Sequence, residues 1–191
     1  MLTDEFQNRL LAVLFAATEP ITPDQLVGVF ADIAQEDIAV GLSALAEQFN
    51  SWQQAVEIQR VAGGYRIVTR PVHHETIREY LKTKPSAKLS HAALETLAVI
   101  AYRQPVTLPE IMEIRGIKGT STIKTLLEKT LIEMKGRKTV VGRPILYGTT
   151  QEFLIHFGLD DLSELPSLEE FEELLASDAG AGVGEPRLSE E

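Results

Sequence analysis

The sequence predicts a mainly α-helical protein with small β-hairpins, an α+β chain built as two copies of one unit and followed by an acidic tail. Three observations predict it. Residues 12–26 and 97–111 follow one plan: an apolar helix end, a proline stop, an extended pair, and a threonine that opens the next helix. Ala16 aligns with Ala101, Pro20 with Pro105, Ile21 with Val106 and Thr22 with Thr107, a constant displacement of 85 residues. A period that long means tandem domains, not a solenoid of short repeats. In each copy a third amphipathic segment then leads into two strand-like runs joined through glycine. After Leu159 the composition turns acidic and poor in apolar residues.

The first copy begins with a helix over residues 1–18, because Phe6, Leu10, Val13, Leu14 and Ala17 recur along one face. Ile21 is a short strand. Thr22 caps a second helix running to about residue 31, with Pro23 at the first position, where its missing N–H costs nothing. Thr22 and Gln25 form a capping box, each side chain taking a backbone N–H that a helix start leaves unpaired. Residues 35–50 form a third helix with Ile38, Leu42, Leu45 and Phe49 as its stripe. Residues 56–60 and 65–69 alternate as strands, and Gly63-Gly64 supplies the positive φ of a hairpin turn. Three helices and a hairpin make the winged-helix form of the helix-turn-helix. Pro71 opens a further helical segment to Leu81, with Ile77, Tyr80 and Leu81 apolar. Residues 82–88 have linker composition, which divides a first domain, 1–84, from a second, 85–160.

Ser90 is a good N-cap for the first helix of the second copy, 90–103, with Leu94, Leu97, Ala98 and Ala101 on one face. Pro105 cannot continue that helix and biases Gln104 toward extended backbone. Thr107 and Glu110 repeat the capping box, worth about 1 kcal/mol, and open a helix over 108–115 that carries Ile111 and Ile114, with Ile117 just beyond. Gly116 is its stop. Thr120 or Ser121 caps a third helix with Ile123, Leu126, Leu127 and Leu131. Residues 131–135 and 145–149 are hairpin strands, 136–144 their wing, and 151–157 a closing helical turn. In the tail, 161–191, Ser167 and Glu170 box one short amphipathic helix with Leu168, Phe171, Leu174 and Leu175. From Ser177 onward a packed core is impossible and disorder is expected.

Composition excludes several classes. The chain has no cysteine, hence no disulfide framework and no thiolate chemistry. Asp4 and Glu5 stand where a secretory signal would be basic, and the longest apolar run, 10–17, is far short of the roughly 20 residues that span a bilayer. A cytoplasmic location is expected, with no membrane contact. The net charge of −10 divides into −4 over residues 1–84, +4 over 85–158 and −10 over 159–191. Only the middle block could attract phosphate, and the tail competes with it.

No enzyme, cofactor or metal site is expected. His73, His74, His91 and His156 lack metal-ligand spacing. The glycines of 180–184 follow no strand, residues 116–120 lack P-loop spacing, and no serine sits in a nucleophile elbow. Arg137, Lys138 and Arg143, with Lys118, Lys124 and Lys129, could face phosphate, or could be ordinary solvated surface. A sequence pI of about 4.9 weighs against autonomous DNA binding. Tyr102, Arg103 and Gln104 end a helix, and Arg143 and Tyr147 lie in and after the wing. Taken alone, they read best as structural, with Tyr147 as hairpin core and Arg103 favoured by the helix dipole.

Residues 91–107, 113–116, 142–150, 152–154 and 157–159, with 63–66, closely resemble the family of segregation and condensation protein B. The likeness covers about residues 1–166 and omits the tail. Thr130 departs from it where the family usually has glycine, and Val141 where it often has proline. The resemblance implies a non-catalytic, homodimeric protein of two winged-helix domains. It would dimerise through its N-terminal domain and bind the kleisin subunit, segregation and condensation protein A, through its C-terminal one. That places it in a bacterial condensin around an SMC ATPase, acting in chromosome condensation and segregation at the nucleoid, with DNA contact weak or indirect. The kleisin site expected is Tyr102, Arg103, Gln104, Arg115, Arg143 and Tyr147. Leu11, Phe15, Phe30 and Val40, apolar but off the main stripes, are expected at the dimer contact. A DNA-binding winged-helix transcriptional regulator is the alternative.

Overall fold

A computed structural model describes residues 4–82, 89–116 and 120–167. The expected linker therefore lies outside the described residues except for Lys82, as do Ile117, Lys118 and the expected tail helix. The chain divides into two compact units, residues 1–161 and 162–191. In the second, the described residues hold one 3-10 turn, Leu162–Glu164.

The first unit contains the three-helix-and-hairpin order twice. Helix α1 (Asp4–Ala16), α2 (Pro23–Val27) and α3 (Gln35–Ser51) precede strands β1 (Val56–Val61) and β2 (Gly64–Thr69). A 3-10 turn and α4 (His74–Leu81) follow. Helix α5 (His91–Arg103), strand β3 (Val106–Thr107), α6 (Leu108–Arg115) and α7 (Thr120–Glu128) then precede β4 (Ile132–Arg137), β5 (Ile145–Thr149) and α8 (Gln151–Phe157). Both hairpins are antiparallel. The two copies also share a detail that the alignment of Ile21 with Val106 anticipates. Ile21 bridges Tyr65 on β2, and Val106 pairs with Tyr147 on β5, so each extended pair lies along the second hairpin strand. Both tyrosines are buried.

The caps form as the spacing predicts. The Thr22 N–H donates to Gln25 Oε1 at 2.9 Å, and the Gln25 N–H to the Thr22 hydroxyl at 3.4 Å. Thr107 stands at the N-terminus of α6, and Ser90 Oγ accepts from the Ala93 N–H at 3.2 Å. Gly116 ends α6 with φ +65°. Each copy has its own apolar core. Phe6, Leu10, Leu14, Leu26, Phe30, Ile38, Leu42, Leu45 and Phe49 fill the first, and Leu97, Ile100, Ile111, Ile123, Leu126, Ile132 and Phe153 are buried in the second.

Four details differ from the reading of the sequence. Helix α2 ends at Val27, not near residue 31, because the Val29 and Phe30 N–H groups both turn back to the Leu26 carbonyl. The positive φ angles of the first turn belong to Ala62 and Gly63, since Val61 already pairs with Gly64. Gly64 is required for space instead: a Cβ there would stand 2.8 Å from the Ile21 carbonyl oxygen. The buried face of α5 is Ala93, Leu97, Ile100 and Ala101, while Leu94 and Ala98 face solvent. Finally, α4 has no buried residue, leaving Tyr80 and Leu81 exposed.

Candidate functional site

The candidate surface is built on β5, the central strand of the order β3-β5-β4. At the C-terminal end of β5, Gln104 joins the end of α5 to the sheet. Its Oε1 accepts the Thr149 N–H at 2.8 Å, and its Nε2 donates to Thr149 Oγ1 at 2.9 Å and to the Ala101 carbonyl at 3.2 Å. Gly148 leaves room for it, because a Cβ would approach the Gln104 Oε1 to 2.8 Å. Beside this junction Arg103 is exposed and lines a shallow groove with Pro105, Val106, Glu110, Glu113 and Ile114.

At the other end of β5 the wing returns through Gly142 and Arg143, both at positive φ. Arg143 is exposed, and its carbonyl accepts from the Arg137 guanidinium at 3.1 Å. The wing is tied to α6 by Lys138 Nζ and Glu110 Oε1, 2.5 Å apart. Glu110 also accepts the N–H and the hydroxyl of Thr107. The Lys138 ammonium first, and the Thr107 donors next, hold its carboxyl down at about 2. The sequence shows Glu110 as a cap. Its partner 28 residues away is a product of the fold.

The expected partner residues separate into two groups. Arg103 and Arg143 are exposed and Tyr102 is half-buried. Arg115, Gln104 and Tyr147 are engaged inside the fold. Arg115 has a side chain only 7% exposed, paired with Glu95 at 2.7 Å and donating to Thr96 Oγ1 at 2.6 Å. Tyr147 packs between Val106 and Met134 as their strand partner. Nor do the two exposed arginines converge. They flank opposite ends of β5, whose five residues span about 14 Å at roughly 3.4 Å per step. Glu113 and Ile114, neither anticipated, join Arg103 in the groove. The spacing carries no signal for Ile114, because residues three apart share a helix face and yet Ile111 is buried and Ile114 exposed.

Of the expected dimer residues, Phe15 and Val40 are 80% and 59% exposed, and Leu11 is partly buried against the first core. Phe30 needs correction: it is fully buried, edge-on to Phe6 at 5.3 Å, with the Arg9 guanidinium 4.7 Å from its ring centre. The turns after α2 aim it inward, so it serves packing.

Two of the cations that could face phosphate are paired with carboxylates. Lys138 is held by Glu110, and Lys124 lies 3.7 Å from Glu128. Among the described residues, no group of acidic and histidine side chains is arranged to hold a metal ion, and no helix is long and apolar enough to cross a membrane.

Comparison with known proteins bears directly on this chain. Segregation and condensation protein B of Desulforamulus reducens is 49% identical over 171 residues, covering 88% of this chain and 92% of its own. The protein of that name from Symbiobacterium thermophilum is 48% identical, covering 84% and 72%. A crystal structure of ScpB from Mycobacterium tuberculosis matches 82% of this chain and 96% of its own at 31% identity, with a TM-score of 0.39. The model of the family described as segregation and condensation complex subunit ScpB matches residues 8–168, and the chain belongs to that family.

Proposed function

We propose that this protein is a non-catalytic, homodimeric subunit of a bacterial condensin, made of two winged-helix domains. In this reading residues 85–160 bind the kleisin, segregation and condensation protein A, and through it join an SMC ATPase. Residues 1–84 form the dimer contact through Phe15 and Val40, with Leu11 at its margin. The protein acts in the cytoplasm at the nucleoid, in chromosome condensation and segregation. The observation that carries the reading is the family match over residues 8–168. The exposure of Arg103 beside its groove supplies a surface, since arginine joins hydrogen bonding to contact area in the manner of interface anchors.

Co-purification with the kleisin, followed by titration of Arg103→Ala and Arg143→Ala, tests this. Each substitution is expected to weaken binding by about 1–2 kcal/mol and to leave the melting temperature nearly unchanged, because neither side chain is buried. Full-strength binding in both variants places the kleisin site elsewhere. Tight duplex DNA binding with a steep salt slope would favour the regulator instead.

A further inference from the structure

We propose that the tip of the first hairpin is a carboxylate seat, that Asp160 is its resident ligand, and that the pair forms a latch holding the two copies of the repeat in one mutual orientation. The turn residues Ala62 and Gly63 are both left-handed, at φ +54° and +75°. Successive residues in such a turn form a small concavity of backbone N–H groups that suits an anion. Asp160 fills it. The Gly63 N–H donates to Asp160 Oδ1 at 3.0 Å and to its carbonyl at 3.1 Å, and the Ala62 N–H donates to the Leu159 carbonyl at 2.9 Å. Arg60 closes the seat from the side, its Nε 2.8 Å from Asp160 Oδ2.

The geometry is specific. Asp160 has only 13% of its side chain exposed, and aspartate is rarely so covered unless paired. Gly158 ends α8 at φ +71°, and the Leu159 N–H returns to the Leu154 carbonyl, which aims the chain at the seat. Arg66 reaches the Ile155 carbonyl at 3.4 Å from the same hairpin. Seat and ligand are 97 residues apart in sequence, so chain connectivity does not impose the contact. Each copy has its own apolar core, so opening the latch need not unfold either. The seat is polar and Arg60 is 63% exposed, which leaves it open to competition by another carboxylate. The latch does not depend on which partner the second domain binds.

The absence of cysteine allows clean labelling. Spin labels at Gln48→Cys on α3 and Lys124→Cys on α7 of the full chain, both exposed positions, report the separation of the two copies by double electron–electron resonance. With the labelled chain diluted into excess unlabelled chain, so that each dimer carries one labelled copy, one narrow distance distribution is expected in the parent, and broad ones in Asp160→Ala and in Arg60→Ala. Glu152→Ala, on the exposed side of α8, should leave it narrow. Circular dichroism identifies any variant that fails to fold, and the seat is approached from both sides so that one such failure leaves the other informative. A broad distribution in the parent, or narrow ones in both variants, overturns the latch. So does a narrow distance present only in the undiluted labelled chain, because Asp160 would then sit in another copy's seat.

Discussion

Gln104→Ala separates a structural role from a partner-binding one at the end of α5. The Gln104 amide accepts one backbone N–H and donates twice, across the gap between a helix end and the last residue of β5. Removing it orphans the N–H of Thr149, a residue only 6% exposed. An unsatisfied buried donor costs about 1–3 kcal/mol, and each neutral hydrogen bond lost about 1 kcal/mol. Gln104 is itself half-buried, so water recovers part of this loss, and about 2 kcal/mol is expected. At roughly 4–8 °C per kcal/mol for a domain of the second copy's size, the melting temperature falls by about 8–16 °C. Thermal denaturation by circular dichroism measures the shift, and kleisin titration of the folded variant measures binding. An unchanged melting temperature with weakened binding would refute the argument and make Gln104 a contact residue.

Thr130→Gly should raise stability by about 1 kcal/mol, because Thr130 is held at φ +55°, where a β-branched residue pays roughly 1–2 kcal/mol that glycine avoids, less glycine's greater chain entropy when unfolded; denaturant titration checks it. The surrounding bonds, Thr130 N–H to Leu127 O and Leu131 N–H to Leu126 O, are backbone and survive the change. Carbon-detected titration should place the Glu110 midpoint near 2 and move it toward about 4.3 in Lys138→Ala. Since the folded value lies below the unfolded one, the stability from this carboxylate is present above about pH 4 and is lost as pH falls through about 2. Gly64→Ala should destabilise the first copy by about 1–3 kcal/mol, seen by chemical denaturation, since its Cβ meets rigid backbone at Ile21. An unchanged midpoint would show that the Ile21 strand yields.

The sequence by itself determined the order and type of nearly every element, the two-copy plan, and the helix starts and stops. Those signals are local: Thr22 and Gln25, Ser90 and Ala93, or Thr107 and Glu110 meet three residues apart, and Gly116 acts on its own turn. The family, too, was legible in residues 91–107 and 142–150. What only the tertiary structure decided is which polar side chains face outward. Arg103 and Arg115 are alike in chemistry and both end a helix, yet one is exposed and the other is closed over by Glu95 and Thr96. Gln104 finds Thr149 across 45 residues, Lys138 finds Glu110 across 28, and Asp160 finds Gly63 across 97. Phe30 turns inward because α2 unwinds at Gly28, a difference of a few residues that rotates a side chain from one face to the other. Periodicity fixes a stripe to within a residue or two, but exposure depends on the phase of each helix against neighbours distant in sequence.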